Sequence, residues 1–346
     1  MQLHTIWFVI IAIFWVGFFV LEGFDFGVGV LHTIVGKSET ERRVALNTIG
    51  PWWDGNEVWL IVAGAGMFAA FPTWYATMFS ALYLALLIVL AALMARGVSM
   101  EFKGKGDGER WRRSWTWCTT IGSLLVPLLL GVGLGDLLHG LPINSSHDFT
   151  GNFFDLLTGY GLWTGVTLLS LCLLHGSTFL KLRTTDVVRE RSRAAARPLG
   201  WAAIALVVGW VIWTRKLAGG PDVPQPCEVL AVIAVIFAAR LSSSDHDGWA
   251  FSASAVAIAA MVGSIFIDLY PHVMVSSTNA AYDLTVNNAA SGSYALKVMT
   301  VAAAIFFPLV LIYQGWSFHV FRGRVKAPPE QPDAPSPTAM PAAPQV

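Results

Sequence analysis

Four acids stand where acids are costly. Glu22 and Asp25 lie in "FVLEGFDFGVGVL" (Phe19–Leu31), inside an apolar run that begins at Ile6. Asp54 and Glu57 lie in "GPWWDGNEVWLIVAG" (Gly50–Gly64) with the same three-residue spacing. On a helix that spacing puts each pair on one face. A carboxylate in hydrocarbon costs roughly 2.5–3.5 kcal/mol by insertion scales. No Lys or Arg within these two runs is placed to pair with them. Protonation relieves the cost, and a string of carboxyls that take up and release protons can pass them along. Two plainer readings compete. Asp54 and Glu57 could favour the start of their helix, where the dipole attracts anions. Glu22 and Asp25 could be a buried, hydrogen-bonded pair facing a neighbouring helix.

The elements that must hold these acids follow from hydropathy. The 346 residues are 55% hydrophobic and 13% charged, with a mean hydropathy of +0.59, which excludes a soluble globular domain. Apolar runs of about 20 residues match roughly 30 Å of hydrocarbon and must be helical to satisfy their backbones. The fold class is therefore an all-α polytopic membrane protein. Nine spans are predicted, at 6–28, 52–71, 76–95, 115–138, 159–180, 198–214, 226–240, 249–270 and 295–318. The sixth and seventh are short enough to form a re-entrant hairpin instead, leaving seven crossings with the same parity. The first run lacks a basic leader region and a small-residue cleavage site, so it reads as a retained helix.

Charge sets the orientation. With the N-terminus outside, every Lys and Arg except Arg215, Lys216 and Lys297 falls on the inner side. Arg96 is counted with the inner loop that also holds Lys103 and Lys105. By the positive-inside rule the N-terminus is outside and the C-terminus cytoplasmic. The first two helices are then antiparallel neighbours, and all four acids can converge near the cytoplasmic side with Asn56 beside them. Asp25 is expected nearer the entrance. The segment 1–325 forms the helical domain; 326–346, rich in Pro and Ala, reads as a disordered cytoplasmic tail.

The remaining features carry less. His175 lies within the fifth span and is the one fair haem-ligand candidate; the bland reading is a hydrogen-bonded interior histidine. Asp136 and Asp268 fall near outer helix ends, where solvation is expected. "GAGMFAAF" and "GVGLGDLL" offer small residues for close helix packing. Cys118, Cys172 and Cys227 form no CxxC pattern, which argues against attached haem c and structural zinc. No P-loop, GxSxG or HExxH motif occurs, and nothing points to nucleic acid. On the residues alone, a self-contained proton-coupled transporter competes with a proton-supplying subunit of a larger complex. A transporter should show Gly/Pro-interrupted helices in related halves. Here the intramembrane prolines are Pro127 and Pro308, and no repeat pairs them.

Several blocks resemble one family. "LEGFDFGVGVL", "TERRVALNTIGPWWDGNEVWLIVAGAGMFAAFP", "LLHGLP" with "TGNFFDLL", and "VSSTNAAYDLT" are similar to subunit II of the cytochrome bd quinol oxidases. The likeness spans about residues 5 to 325, and block 40–72 is its most specific part. The resemblance implies a bacterial plasma-membrane complex that oxidises quinol and reduces O2 to water. It implies haem b, haem d and the quinol site on a partner subunit I, and no haem in this chain. It also implies a proton gradient built without pumping. On the motif match, Asp25 and Asp54 correspond to a cytoplasmic proton path, with Glu22 and Glu57 as neighbours. A bound quinone or lipid, and small single-helix accessory subunits, are compatible with the resemblance.

Overall fold

The computed structural model describes residues 2–106, 108–217 and 223–326. The expected tail therefore lies outside the described residues beyond Lys326. Eleven α-helices are described: α1 (Leu3–Val35), α2 (Glu39–Asn47), α3 (Trp53–Ala70), α4 (Pro72–Ala81), α5 (Tyr83–Phe102), α6 (Glu109–His139), α7 (Gly159–Arg183), α8 (Asp186–Leu217), α9 (Pro226–Leu241), α10 (Asp247–Leu269) and α11 (Ser293–Val320). A two-stranded antiparallel ribbon, β1 (His272–Met274) with β2 (Leu284–Thr285), lies in the α10–α11 connection.

Local sequence explains the breaks. "SETE" starts α2 as a capping box. Ser38 Oγ accepts the Glu41 amide at 3.2 Å, and Glu41 Oε2 accepts the Ser38 amide at 3.1 Å. Pro72 opens α4, and Phe71 before it is pushed out of the helical region (φ −137°, ψ 69°). The expected span 76–95 crosses from α4 into α5. The amides of Leu82 and Leu86 still bond four residues back at 2.9 and 2.8 Å, so Leu82 is a bend and not a break.

Seven helices among the described residues are long and apolar enough to cross a membrane: α1, α5, α6, α7, α8, α10 and α11. The other two predicted spans are the helices α3 and α9. Polar Asp54, Asn56 and Glu57 fall within α3. With 16 residues, α9 is only about 24 Å long. The sixth predicted span was expected to be short, yet α8 has 32 residues. It extends back through the basic stretch to Asp186.

α1 and α7 lie at the centre of the bundle. α1 packs on α3, α6, α7 and α10; α7 packs on α6, α8 and α10. Glycines set these crossings. A Cβ on Gly27 of α1 would sit 2.1 Å from the Cys172 carbonyl oxygen, and one on Gly176 of α7 would sit 2.5 Å from the Gly27 backbone. Gly131 and Gly135 of α6 meet Gly165 and Gly161 of α7 in the same way. The "GVGLGDLL" expectation is thus realised. Gly64 of "GAGMFAAF" makes only an ordinary contact, with Phe79. By contrast, α11 exposes Val301, Ile305, Phe306, Leu309, Ile312 and Tyr313 along its length.

The basic residues gather at one pole. Lys103 pairs with Glu39 (3.1 Å), Arg191 with Glu41 (2.7 Å) and Arg324 with Asp247 (3.0 Å). The Val325 amide bonds the Arg183 carbonyl at 2.7 Å, which ties the end of the described chain to this pole. At the opposite pole the two long loops are packed together. The Leu141 amide donates to the Val275 carbonyl at 3.0 Å, and Ser276 Oγ donates to the Ile143 carbonyl at 3.1 Å.

Candidate functional site

The acids of α1 lie about two-thirds along that helix, toward the basic pole. Glu22 and Asp25 are both fully buried. Asp25 Oδ2 accepts a 2.7 Å hydrogen bond from Asn56 Nδ2 of α3. The same amide donates to the Leu21 carbonyl at 3.1 Å, and Gln314 of α11 donates to Asn56 Oδ1 at 2.9 Å. Three helices thus meet at one polar knot.

Arg96 joins it, which corrects two expectations. It does not lie in a loop, because α5 continues to Phe102 and buries it completely. The acids therefore do have a base: Arg96 Nη1 lies 2.5 Å from both Glu22 Oε1 and Glu57 Oε1. Its guanidinium also sits over the Phe26 ring, 5.0 Å from the centroid. One guanidinium faces three carboxyls. Its direct contacts are with Glu22 and Glu57, and removing such a buried counter-charge would leave an acid uncompensated. Glu22 Oε2 and Asp25 Oδ1 accept no hydrogen bond among the described residues.

Asp54 does not converge with the others. It is exposed in the first turn of α3. Glu57, one turn on, has a side chain 22% exposed, whereas Glu22 and Asp25 have none. Exposure of the acids thus falls from Asp54 through Glu57 to Glu22 and Asp25, and Asp25, expected nearer an entrance, is fully buried.

Other candidates resolve differently. Both ring nitrogens of His175 are engaged, Nδ1 with Ser254 Oγ at 2.7 Å and Nε2 with the Val20 carbonyl at 3.1 Å. Its ring stacks on Phe251. It is a hydrogen-bonded interior histidine, and this environment does not fit an axial haem ligand. Asp136 is buried, not solvated: Thr158 Oγ1 donates to it at 2.6 Å across the tight α6–α7 contact. Asp268 is ion-paired with Arg215, which also binds the buried Glu228 at 2.9 Å. Sequence reading missed Arg96 and Gln314. The only available signal for Arg96 was a helix that could run past it with Arg96 facing the acid pair.

Comparison with known proteins settles the lineage. The family described as cytochrome bd terminal oxidase subunit II matches residues 3–321. The chain belongs to that family. Cytochrome bd ubiquinol oxidase subunit 2 of Bacillus subtilis is 44% identical, over 94% of this chain and 97% of the relative. Cytochrome bd-I ubiquinol oxidase subunit 2 of Escherichia coli K12 is 34% identical, over 93% and 95%. A chain of the bd oxidase structure from Geobacillus thermodenitrificans has the same fold, with a TM-score of 0.75 at 17% identity, covering 93% of this chain and 99% of that one. Membership of the bd oxidase subunit II family, together with seven apolar helices, makes this a multi-pass membrane subunit of an oxidoreductase complex. It sets aside the self-contained transporter.

Proposed function

We propose that this chain is subunit II of a bacterial bd-type quinol oxidase and that its carboxylate cluster takes up cytoplasmic protons for the partner subunit. Named relatives act as ubiquinol oxidase subunits, which supports quinol and O2 as substrates of the complex. On this reading haem b and haem d, with the quinol site, belong to subunit I. The occupied nitrogens of His175 support that division. Haem on the partner supplies the redox chemistry; the residues of this chain hold and move protons.

The basic pole faces the cytoplasm of a bacterial plasma membrane, the N-terminus is outside, and α3 and α9 complete nine crossings. A 16-residue α9 spans if it stands upright or the bilayer thins beside it. On this reading the exposed apolar faces of α3 and α11 receive subunit I and single-helix accessory subunits. Reducing O2 to water consumes as many protons as electrons. Drawing those protons from the cytoplasm while quinol protons leave outside builds a gradient without a pump.

The observation that carries the reading is the gradient of exposure. Asp54 is open, Glu57 partly covered, Glu22 and Asp25 closed, and one arginine touches two of the acids. Asp25→Asn in the purified complex tests it. Asparagine keeps the size and a polar contact to Asn56 but carries no exchangeable acid proton. Quinol-driven O2 uptake should fall roughly tenfold to a hundredfold with haem absorption unchanged. Full turnover at full haem content would refute a proton role for this cluster.

A further inference from the structure

A groove between α8 and α9 opens at the basic pole, well away from the carboxylate cluster. Its volume is about 360 Å3, and its walls include Arg197, Trp201 and Ile204 of α8 and Ile236 and Arg240 of α9, with Ser243 beyond the helix end. Its back wall is close-packed: a Cβ on Gly200 would lie 2.7 Å from Cβ of Ala239. The groove is therefore a shallow trough on a tight helix pair and not a gap in the core.

Its polarity runs along the helices. Arg197 and Arg240 lie level at the basic end. Trp201, Ile204 and Ile236 lie one to two turns further along, and Trp201 is 70% exposed. Past them α9 continues with exposed Ile233, Leu230 and Val229. Neither arginine is neutralised by an acid. Arg197 has only a 3.4 Å hydrogen bond to Ser243 Oγ, and the Arg240 guanidinium has no hydrogen bond or ion pair among the described residues. The neighbouring acids are taken: Asp245 by Arg189 and Arg193, and Asp247 by Lys181, Arg189 and Arg324. Two open guanidiniums above an apolar track match a ligand with an anionic head and hydrocarbon tails. Basic pockets between helices at the charged end of a bundle suit such headgroups, and guanidinium pairs well with phosphate oxygens.

We propose that this groove binds one anionic phospholipid, with its phosphodiester between Arg197 and Arg240 and an acyl chain along Trp201, Ile204 and Ile236. The site is independent of the proton reading and of which subunit holds haem.

The test uses the protein purified from membranes with whatever subunits accompany it, stripped of lipid in a neutral detergent. Native mass spectrometry then titrates dioleoyl phosphatidylglycerol against dioleoyl phosphatidylcholine. At about fivefold per arginine, the wild type should prefer the anionic lipid roughly 25-fold at this site. R197Q/R240Q should bring the two lipids near parity, and each single substitution should give an intermediate value, which preserves the test if the double variant is poorly made. Inorganic phosphate should not displace the lipid. An unchanged preference in R197Q/R240Q, equal binding of both lipids by the wild type, or full competition by inorganic phosphate would each overturn the assignment. So would a groove sealed by an accompanying subunit, seen as Arg240→Cys resisting a water-soluble maleimide in the lipid-stripped assembly.

Discussion

Arg96 shows how one side chain sets the terms for a buried cluster. It is fully enclosed, contacts Glu22 and Glu57, and lies over Phe26. Removing one partner of a buried ion pair costs about 3–5 kcal/mol, because the other is left uncompensated. Arg96→Gln should therefore lower the yield of assembled complex, measured as intact material by size exclusion. Glu22→Gln combined with Arg96→Gln should restore much of it, since a neutral amide pair replaces the stranded acid. Failure of the double variant to recover would mean that Glu22 is not the acid that Arg96 chiefly compensates. At this scale the sequence reads unevenly. Glu22 and Asp25 stand out because acids interrupt an apolar run. Arg96 does not, because "ARGVSMEFKGK" runs into further bases and looks like a loop. Asp136 was misjudged for a related reason. It sits near the end of α6, yet the glycine contacts of α6 with α7 draw Thr158 over it.

Helices were legible wherever length and hydropathy agreed. Each predicted span coincides with helix, and the errors lie at ends: α8 begins twelve residues before the expected start at 198 because its first turns are polar. The crossings were less legible, since glycine marks closeness only when two helices bring it together. "GVGLGDLL" was visible as a stripe, but the Gly27–Gly176 contact depends on two segments far apart in sequence. That contact makes a sharp prediction. A methyl at either position meets backbone, which cannot give way, so Gly27→Ala or Gly176→Ala should destabilise by about 1–3 kcal/mol or more. Gly263→Ala, with nothing within 4 Å of the added carbon, should not destabilise. Thermal unfolding of the purified protein distinguishes them; equal midpoints for all three variants would show that α1 and α7 separate easily.

Across the whole molecule, charge asymmetry and an unpartnered face point the same way. The bases gather at one pole through Lys103, Arg191 and Arg324. The exposed face combines α11 with Val58, Ile61 and Phe68 of α3. Trp59 and Phe26 do not belong to that face, since both are buried within the chain. Asp54 does: it is exposed at the start of α3, beside the route inward through Glu57. An exposed acid in the first turn of a helix also suits the helix dipole. Seated against subunit I, it would become the handover point between the surface and the buried acids. Asp54→Asn preserves shape and hydrogen-bonding capacity and removes the titratable proton. In the assembled oxidase it should slow quinol-driven O2 uptake strongly while haem content and subunit stoichiometry stay normal. Raising buffer concentration should not rescue it if the partner covers the residue, and should rescue it if Asp54 remains open to water. Unchanged turnover at full haem content would reduce Asp54 to a helix-end charge and leave Glu57 as the outermost member of the series.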